Sequence, residues 1–172
     1  LTEYVIDDLG TPLGFSSSLK LGLLSVPFTL FAIIGLTNAI NMIDGCDGLA
    51  SSLIIISLLA LLIFETAELN NPSQFLLVLV SSLIVFLFFN FSNNKNIKIF
   101  LGDSGSLFLG FIVATSLVKF GKNTLYDSSI VLWFSAVIIF DFCAVIVMRK
   151  LQKRKIFTAD RNHIHHLLLS SG

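Results

Sequence analysis

The chain is 172 residues long, 55% of them hydrophobic and only 13% charged, with 17 phenylalanines and a mean hydropathy of +0.89. A soluble domain carries about 25% charged residues, so this composition excludes an ordinary water-soluble domain and makes lipid the expected solvent. The formal net charge is zero, which excludes a global basic field for nucleic acid. Two cysteines, Cys46 and Cys143, are too few for a disulfide framework or a thiolate zinc site.

Five apolar stretches follow one another, at roughly Leu21–Ile43, Gly48–Phe64, Phe75–Phe91, Gly105–Val118 and Ser129–Met148, with Asp141 in the fifth as the sole charged residue within them. A helix needs about 20 residues to cross the hydrocarbon core, with a tolerated range of about 17–25. The second and third stretches sit near the lower limit, and the fourth, the shortest, needs Ser104 and Lys119 at its borders. A soluble protein of this size could not hide so many helices that are apolar on every side. The expected fold is all-α: a polytopic integral membrane protein with about five transmembrane helices. No internal repeat, low-complexity tract or domain boundary interrupts it. The sequence opens on Leu1 with no basic n-region or cleavage site, so residues 1–172 are expected to be a single membrane domain, an internal fragment of a larger protein.

The loops orient the spans. Lys95, Lys98, Arg149, Lys150, Lys153, Arg154, Lys155 and Arg161 fall on one side, against Lys20, Lys119 and Lys122 on the other. The positive-inside rule makes the first side cytoplasmic. Turn material separates the spans, Asn70-Asn71-Pro72 outside and Asn93-Asn94-Lys95-Asn96 inside.

Three polar clusters interrupt the apolar chain. The first holds Asn38, Asn41, Asp44 and Asp47, spaced three apart, a spacing that on a helix drifts slowly around one side. Gly45 and Gly48 would loosen that helix and let backbone approach a ligand. Asn and Asp are also common at helix ends, but four in register, two of them acidic, point to a site. The second cluster is Phe100-Leu101-Gly102-Asp103-Ser104-Gly105-Ser106. Asp103 falls at or just before the start of the fourth span, where it could act as an N-cap or help cradle phosphate beside free N–H groups. The third is Asp160-Arg161-Asn162-His163-Ile164-His165-His166, preceded by the basic run from Arg149 to Lys155. A zinc site would lack cysteine partners. A basic loop on anionic lipid would explain the Lys and Arg but not the histidines. Imidazoles beside Arg161 suit a diphosphate.

Alternating crossings put all three clusters on the same side. Paired carboxylates, a further Asp and a His/Arg group around one cavity have the composition of a magnesium–nucleotide phosphoryl-transfer site. There Mg²⁺ takes one or two carboxylates plus substrate phosphates and screens developing charge.

Asn38-Ala-Ile-Asn41-Met-Ile-Asp44-Gly45-Cys46-Asp47-Gly48-Leu49, the Phe100–Ser106 segment and Asp160–His166 resemble, in order, three cytoplasmic motifs of the polyprenyl-phosphate N-acetylhexosamine-1-phosphate transferases. The resemblance covers nearly the whole chain. It implies transfer of N-acetylhexosamine-1-phosphate from a UDP-N-acetylhexosamine to undecaprenyl phosphate in the bacterial inner membrane, with release of UMP, at the start of a cell-surface polysaccharide. The His-Ile-His-His form resembles the N-acetylglucosaminyl branch, whereas the peptidoglycan branch, which transfers phospho-N-acetylmuramoyl-pentapeptide, typically shows Pro-Leu-His-His-His. By position, the resemblance implies Asp103 as ligand of Mg²⁺ (Mn²⁺ as the alternative) and Asp44 and Asp47 as nucleotide-binding and catalytic carboxylates. It also implies Arg161, His163, His165 and His166 as the diphosphate and sugar loop, and Asn38 and Asn41 as lining of the nucleotide pocket. The implied partners are the UDP-sugar, undecaprenyl phosphate and the bilayer, with a homodimer as the oligomeric option and no nucleic acid. The family's earlier cytoplasmic Asp-Asp pair has no counterpart here. Asp7-Asp8 does not supply it, because exactly one span separates that segment from Asp44. The rival reading is a transporter, for which mid-span Asp141 would be a pathway residue. It would be expected to show inverted repeats and broken helices, and the sequence shows neither.

Overall fold

The computed structural model describes residues 4–10, 18–45, 47–69, 73–94, 96–123 and 130–151. Arg161, His163, His165 and His166 lie outside the described residues, as does Cys46.

Among the described residues, six α-helices follow a 3₁₀ turn at Gly22–Leu24: α1 (Ser25–Ile43), α2 (Leu49–Leu69), α3 (Gln74–Asn90), α4 (Gly102–Asn123), α5 (Ile130–Phe134) and α6 (Ala136–Leu151). No strand forms among the described residues. One isolated bridge pairs Asp8 with Lys20 in the segment before α1. Three helical stretches are long and apolar enough to cross a bilayer, Gly22–Ile43, Leu49–Ala67 and Gly102–Lys122. The apolar helices Gln74–Asn90 and Ala136–Met148 are shorter. Large apolar side chains stand on the outside, among them Phe31 at 75% exposure and Phe88 at 76%. Water would penalise such a surface, and hydrocarbon solvates it. The protein is an all-α polytopic membrane protein.

α4 is the hub. It packs most extensively on α1 and also touches α2 and α5, while α1 adds a contact to α6 and α2 pairs with α3. The close approach of α1 and α4 rests on Gly110. A Cβ there would stand 3.0 Å from the Thr37 Cα and 3.1 Å from its carbonyl oxygen. Association in lipid depends on packing rather than on water exclusion, so a glycine at such a crossing lets two backbones meet. Around it Ile40, Ile54, Leu58, Leu61, Val113 and Ile138 are almost completely buried.

Three expectations are corrected. The first polar cluster does not continue on a helix: α1 ends at Ile43, Asp44 is its C-cap with ψ of 46°, and Asp47 lies in the following turn. Gly48, with φ of +72°, closes that turn, and a Cβ on it would strike the Phe91 ring. The fifth stretch is not one helix either, because it breaks at Ser135. The Ser57 hydroxyl donates to the Phe134 carbonyl at 2.7 Å. It thereby satisfies a backbone group that the break frees, the usual condition for an interrupted helix at membrane depth. The fourth stretch is longer than expected, because Gly102 to Asn123 is helical throughout.

Two ion pairs define the ends of the bundle. Lys98 pairs with Asp47 at one end. At the other, Lys122 near the end of α4 pairs with Asp7 at 2.8 Å. Nineteen helical residues, about 28 Å at 1.5 Å per residue, separate Lys122 from Asp103. Asp7 therefore sits at the end of the bundle opposite Asp103.

Candidate active site

Asp44, Asp47 and Asp103 gather at the end of the bundle where α1 and α3 finish and α4 begins. The end of α1 delivers Asp44, the α1–α2 turn delivers Asp47, and the first turn of α4 delivers Asp103. Gly102 opens α4 at φ +67°, a backbone conformation that a side chain would strain. Burial, and after it the Asp103 charge, push the Asp44 carboxyl up from 3.8 to about 6. A half-buried acid facing a second acid disfavours its own ionisation.

Asn41 and Ser106 register the two helices that carry this pair. The Asn41 amide donates to the Ser106 hydroxyl at 2.7 Å, and that hydroxyl donates to the Asp103 carbonyl at 3.1 Å. Ser106 is fully buried. Asn38 behaves differently: it is exposed and its amide donates to Ile34 O of its own helix at 2.8 Å. The structure thus brings Asn41 to α4, one turn below Asp44, and leaves Asn38 outside that contact.

Asp47 is exposed, and its Oδ2 accepts from the Lys98 ammonium at 2.5 Å. That ammonium also lies 5.4 Å from the centre of the Phe100 ring, and Ser92, Asn93, Lys98 and Phe100 line a shallow pocket beside it. Sequence reasoning missed Lys98, counting it only as one of the charges that orient the chain. It also missed Asn90, which is buried at the end of α3 and donates to Ile99 O at 2.7 Å. An asparagine ending an apolar run was the available signal.

The chemistry open to this rim is that of oxygen donors. Asp44 and Asp103 are the pair that could hold a hard divalent cation, which would relieve the repulsion between them. Among the described residues no group of three or more His, Cys, Asp or Glu side chains surrounds one point, so such an ion would need further ligands from substrate or water. Elsewhere, Cys143 is a free, exposed thiol on α6, and Asp141 is buried on the same helix.

The family model for glycosyl transferase family 4 matches residues 1–121. The chain belongs to glycosyl transferase family 4. A relative from Bacillus subtilis, named as a probable undecaprenyl-phosphate N-acetylglucosaminyl 1-phosphate transferase, is 41% identical over 157 residues, 89% of this chain and 43% of the relative. An undecaprenyl-phosphate alpha-N-acetylglucosaminyl 1-phosphate transferase from Escherichia coli is 30% identical over 148 residues, 84% of this chain and 40% of its own length. A phospho-N-acetylmuramoyl-pentapeptide-transferase from Streptococcus suis is 45% identical over a shorter stretch of 101 residues, 59% of this chain and 30% of that protein. The chain therefore spans about two-fifths of the length of the first two relatives. Membership of glycosyl transferase family 4 bears out the resemblance drawn from the three motifs and sets the transporter reading aside, although α5 and α6 do form an interrupted helix.

Proposed function

We propose that the chain is the core of a transferase that moves N-acetylglucosamine-1-phosphate from UDP-N-acetylglucosamine to undecaprenyl phosphate. The observation that carries this reading is the convergence of Asp44 and Asp103 from two helices, close enough for one charge to act on the other. The 41% identity to the Bacillus subtilis relative supports the choice of sugar and acceptor.

In the reaction an oxygen of undecaprenyl phosphate attacks the phosphorus that bears the sugar. The bond from that phosphorus to the bridging oxygen breaks, and UMP leaves with the bridging oxygen. Both reactants are anions, so the chain must bring negative charges together. Asp44 and Asp103 would hold Mg²⁺, with Mn²⁺ as the alternative. When bound, that ion would neutralise charge on the diphosphate and on the departing UMP. Asp47, across the same rim, orients the reacting groups. Arg161, His163, His165 and His166 grip the diphosphate and sugar through charge-assisted hydrogen bonds. By the positive-inside rule this rim faces the cytoplasm of a bacterial inner membrane. The long apolar outer faces of α1 and α3 keep the polyprenyl tail in lipid while its phosphate reaches the rim.

Full-length protein in membranes, supplied with undecaprenyl phosphate and Mg²⁺, should release UMP from UDP-N-acetylglucosamine and form a diphosphate-linked lipid detectable by mass spectrometry. The similarity to the Streptococcus suis transferase favours one second reading, transfer of phospho-N-acetylmuramoyl-pentapeptide. Turnover of the UDP-linked pentapeptide substrate, with none of UDP-N-acetylglucosamine, would establish that alternative.

A further inference from the structure

Asp47 has no regular structure of its own to hold it. It lies in the turn between α1 and α2, exposed, next to a glycine in the left-handed region. A carboxylate so placed would sample many rotamers unless something outside the turn fixed it. That partner is Lys98, fifty-one residues along the chain.

Lys98 is itself well held. The buried Asn90 amide grips the carbonyl of Ile99, the next residue. The backbone N–H groups of Ile97 and Lys98 both donate to Asn94 O at 3.1 Å. The Phe100 ring lies beneath the ammonium. The contacts run from the buried end of α3, through the α3–α4 loop, to a carboxylate of the α1–α2 turn. A solvent-exposed ion pair contributes only about 0–1 kcal/mol to folding, so fold stability accounts poorly for so much anchoring around one lysine. We propose that Lys98 is a positioning residue, which sets the orientation of the Asp47 carboxylate for the transfer reaction. The proposal rests on the transferase reading, with Asp47 as a participant.

The test is a double-mutant cycle on the full-length enzyme with Asp47→Asn, Lys98→Met and the combination, together with Lys98→Arg. Lys98→Met should lower kcat about tenfold, the size of coupling seen between groups in direct contact, with KM for the UDP-sugar within about twofold. Lys98→Arg should recover most of the rate, because a guanidinium reaches the same carboxylate. In the Asp47→Asn background, Lys98→Met should change the residual rate no further. A rise in KM that persists without the Asp47 carboxylate would show Lys98 gripping substrate directly and would overturn the proposal. So would an unchanged kcat in Lys98→Met, or additive losses in the cycle. If the parent releases no UMP from any UDP-sugar, the transferase reading fails instead. The role of Lys98 in transfer falls with it, and thermal melting of the same cycle in detergent then shows whether the pairing itself stands: coupled shifts keep the Lys98–Asp47 pair, and additive shifts remove that as well.

Discussion

The Asn41 amide on α1 donates to the Ser106 hydroxyl on α4, and the same hydroxyl donates to the carbonyl of Asp103. One buried oxygen thereby ties the last turn of the helix that ends at Asp44 to the first turn of the helix that begins beside Asp103. Removing the amide with Asn41→Ala should cost about 1 kcal/mol of stability, an ordinary value for one hydrogen bond. It should lower transferase activity by more than that loss of stability explains, because the two acids lose their register. Thermal melts and UMP release measured on the same preparation compare the two. A full melting shift with undiminished turnover would contradict the registering role.

Asp103→Asn should remove most activity from the full-length enzyme while leaving it folded and inserted. Mg²⁺ titration of UMP release is the measurement, and near-normal turnover at ordinary Mg²⁺ would count against Asp103 as a ligand.

The raised pKa of Asp44 gives opposite pH trends for folding and for activity. Its folded value of about 6 exceeds its ordinary 3.8, so between these two values the folded chain keeps a proton that the unfolded chain has released. Stability contributed by this group is therefore greatest at the acid end and declines as pH rises through that window. Transfer needs the ionised carboxylate, so at limiting Mg²⁺ UMP release should fall as pH drops through about 6, and saturating Mg²⁺, which favours the ionised form, should move that fall to lower pH. Asp44→Asn should abolish that acid limb of the stability profile. A profile for the variant that matches the parent between about pH 4 and 6 would reject Asp44 as the titrating group.

Gly110 lets α1 and α4 meet, with no room for a side chain between its backbone and Thr37. Gly110→Leu should destabilise the bundle by about 1–3 kcal/mol or more, the usual cost of overpacking, and reduce activity with it. Parent-like melting would mean that the two helices can separate freely at this crossing.

Asp7 pairs with Lys122 in an exposed contact at the far end of α4, where such pairs contribute about 0–1 kcal/mol. Asp7→Ala combined with Asp8→Ala should leave turnover within a few-fold of the parent. A loss comparable to that of Asp103→Asn, in protein that still inserts normally, would show that the direction of α1 is wrong.

Much of this architecture was legible in the sequence because lipid imposes a coarse rule. Long apolar runs must become helices that satisfy their own backbone, so α1 to α4 and their alternating directions followed from composition and spacing. Asp44, Asp47 and Asp103 stood out because each carboxylate interrupts or borders such a run, and alternating crossings put them on one side. Tertiary contacts decided what spacing could not express. α1 stops at Ile43, so that Asp44 caps a helix while Asp47 lies in a turn that closes on Gly48 against the Phe91 ring. The break at Ser135 occurs where a hydroxyl seventy-seven residues away takes the Phe134 carbonyl. The separation of Asn41 from Asn38, and the pairing of Lys98 with Asp47, belong to the same class. Periodicity within one segment carries no information about which distant group will meet a given side chain, and only the folded packing supplies it.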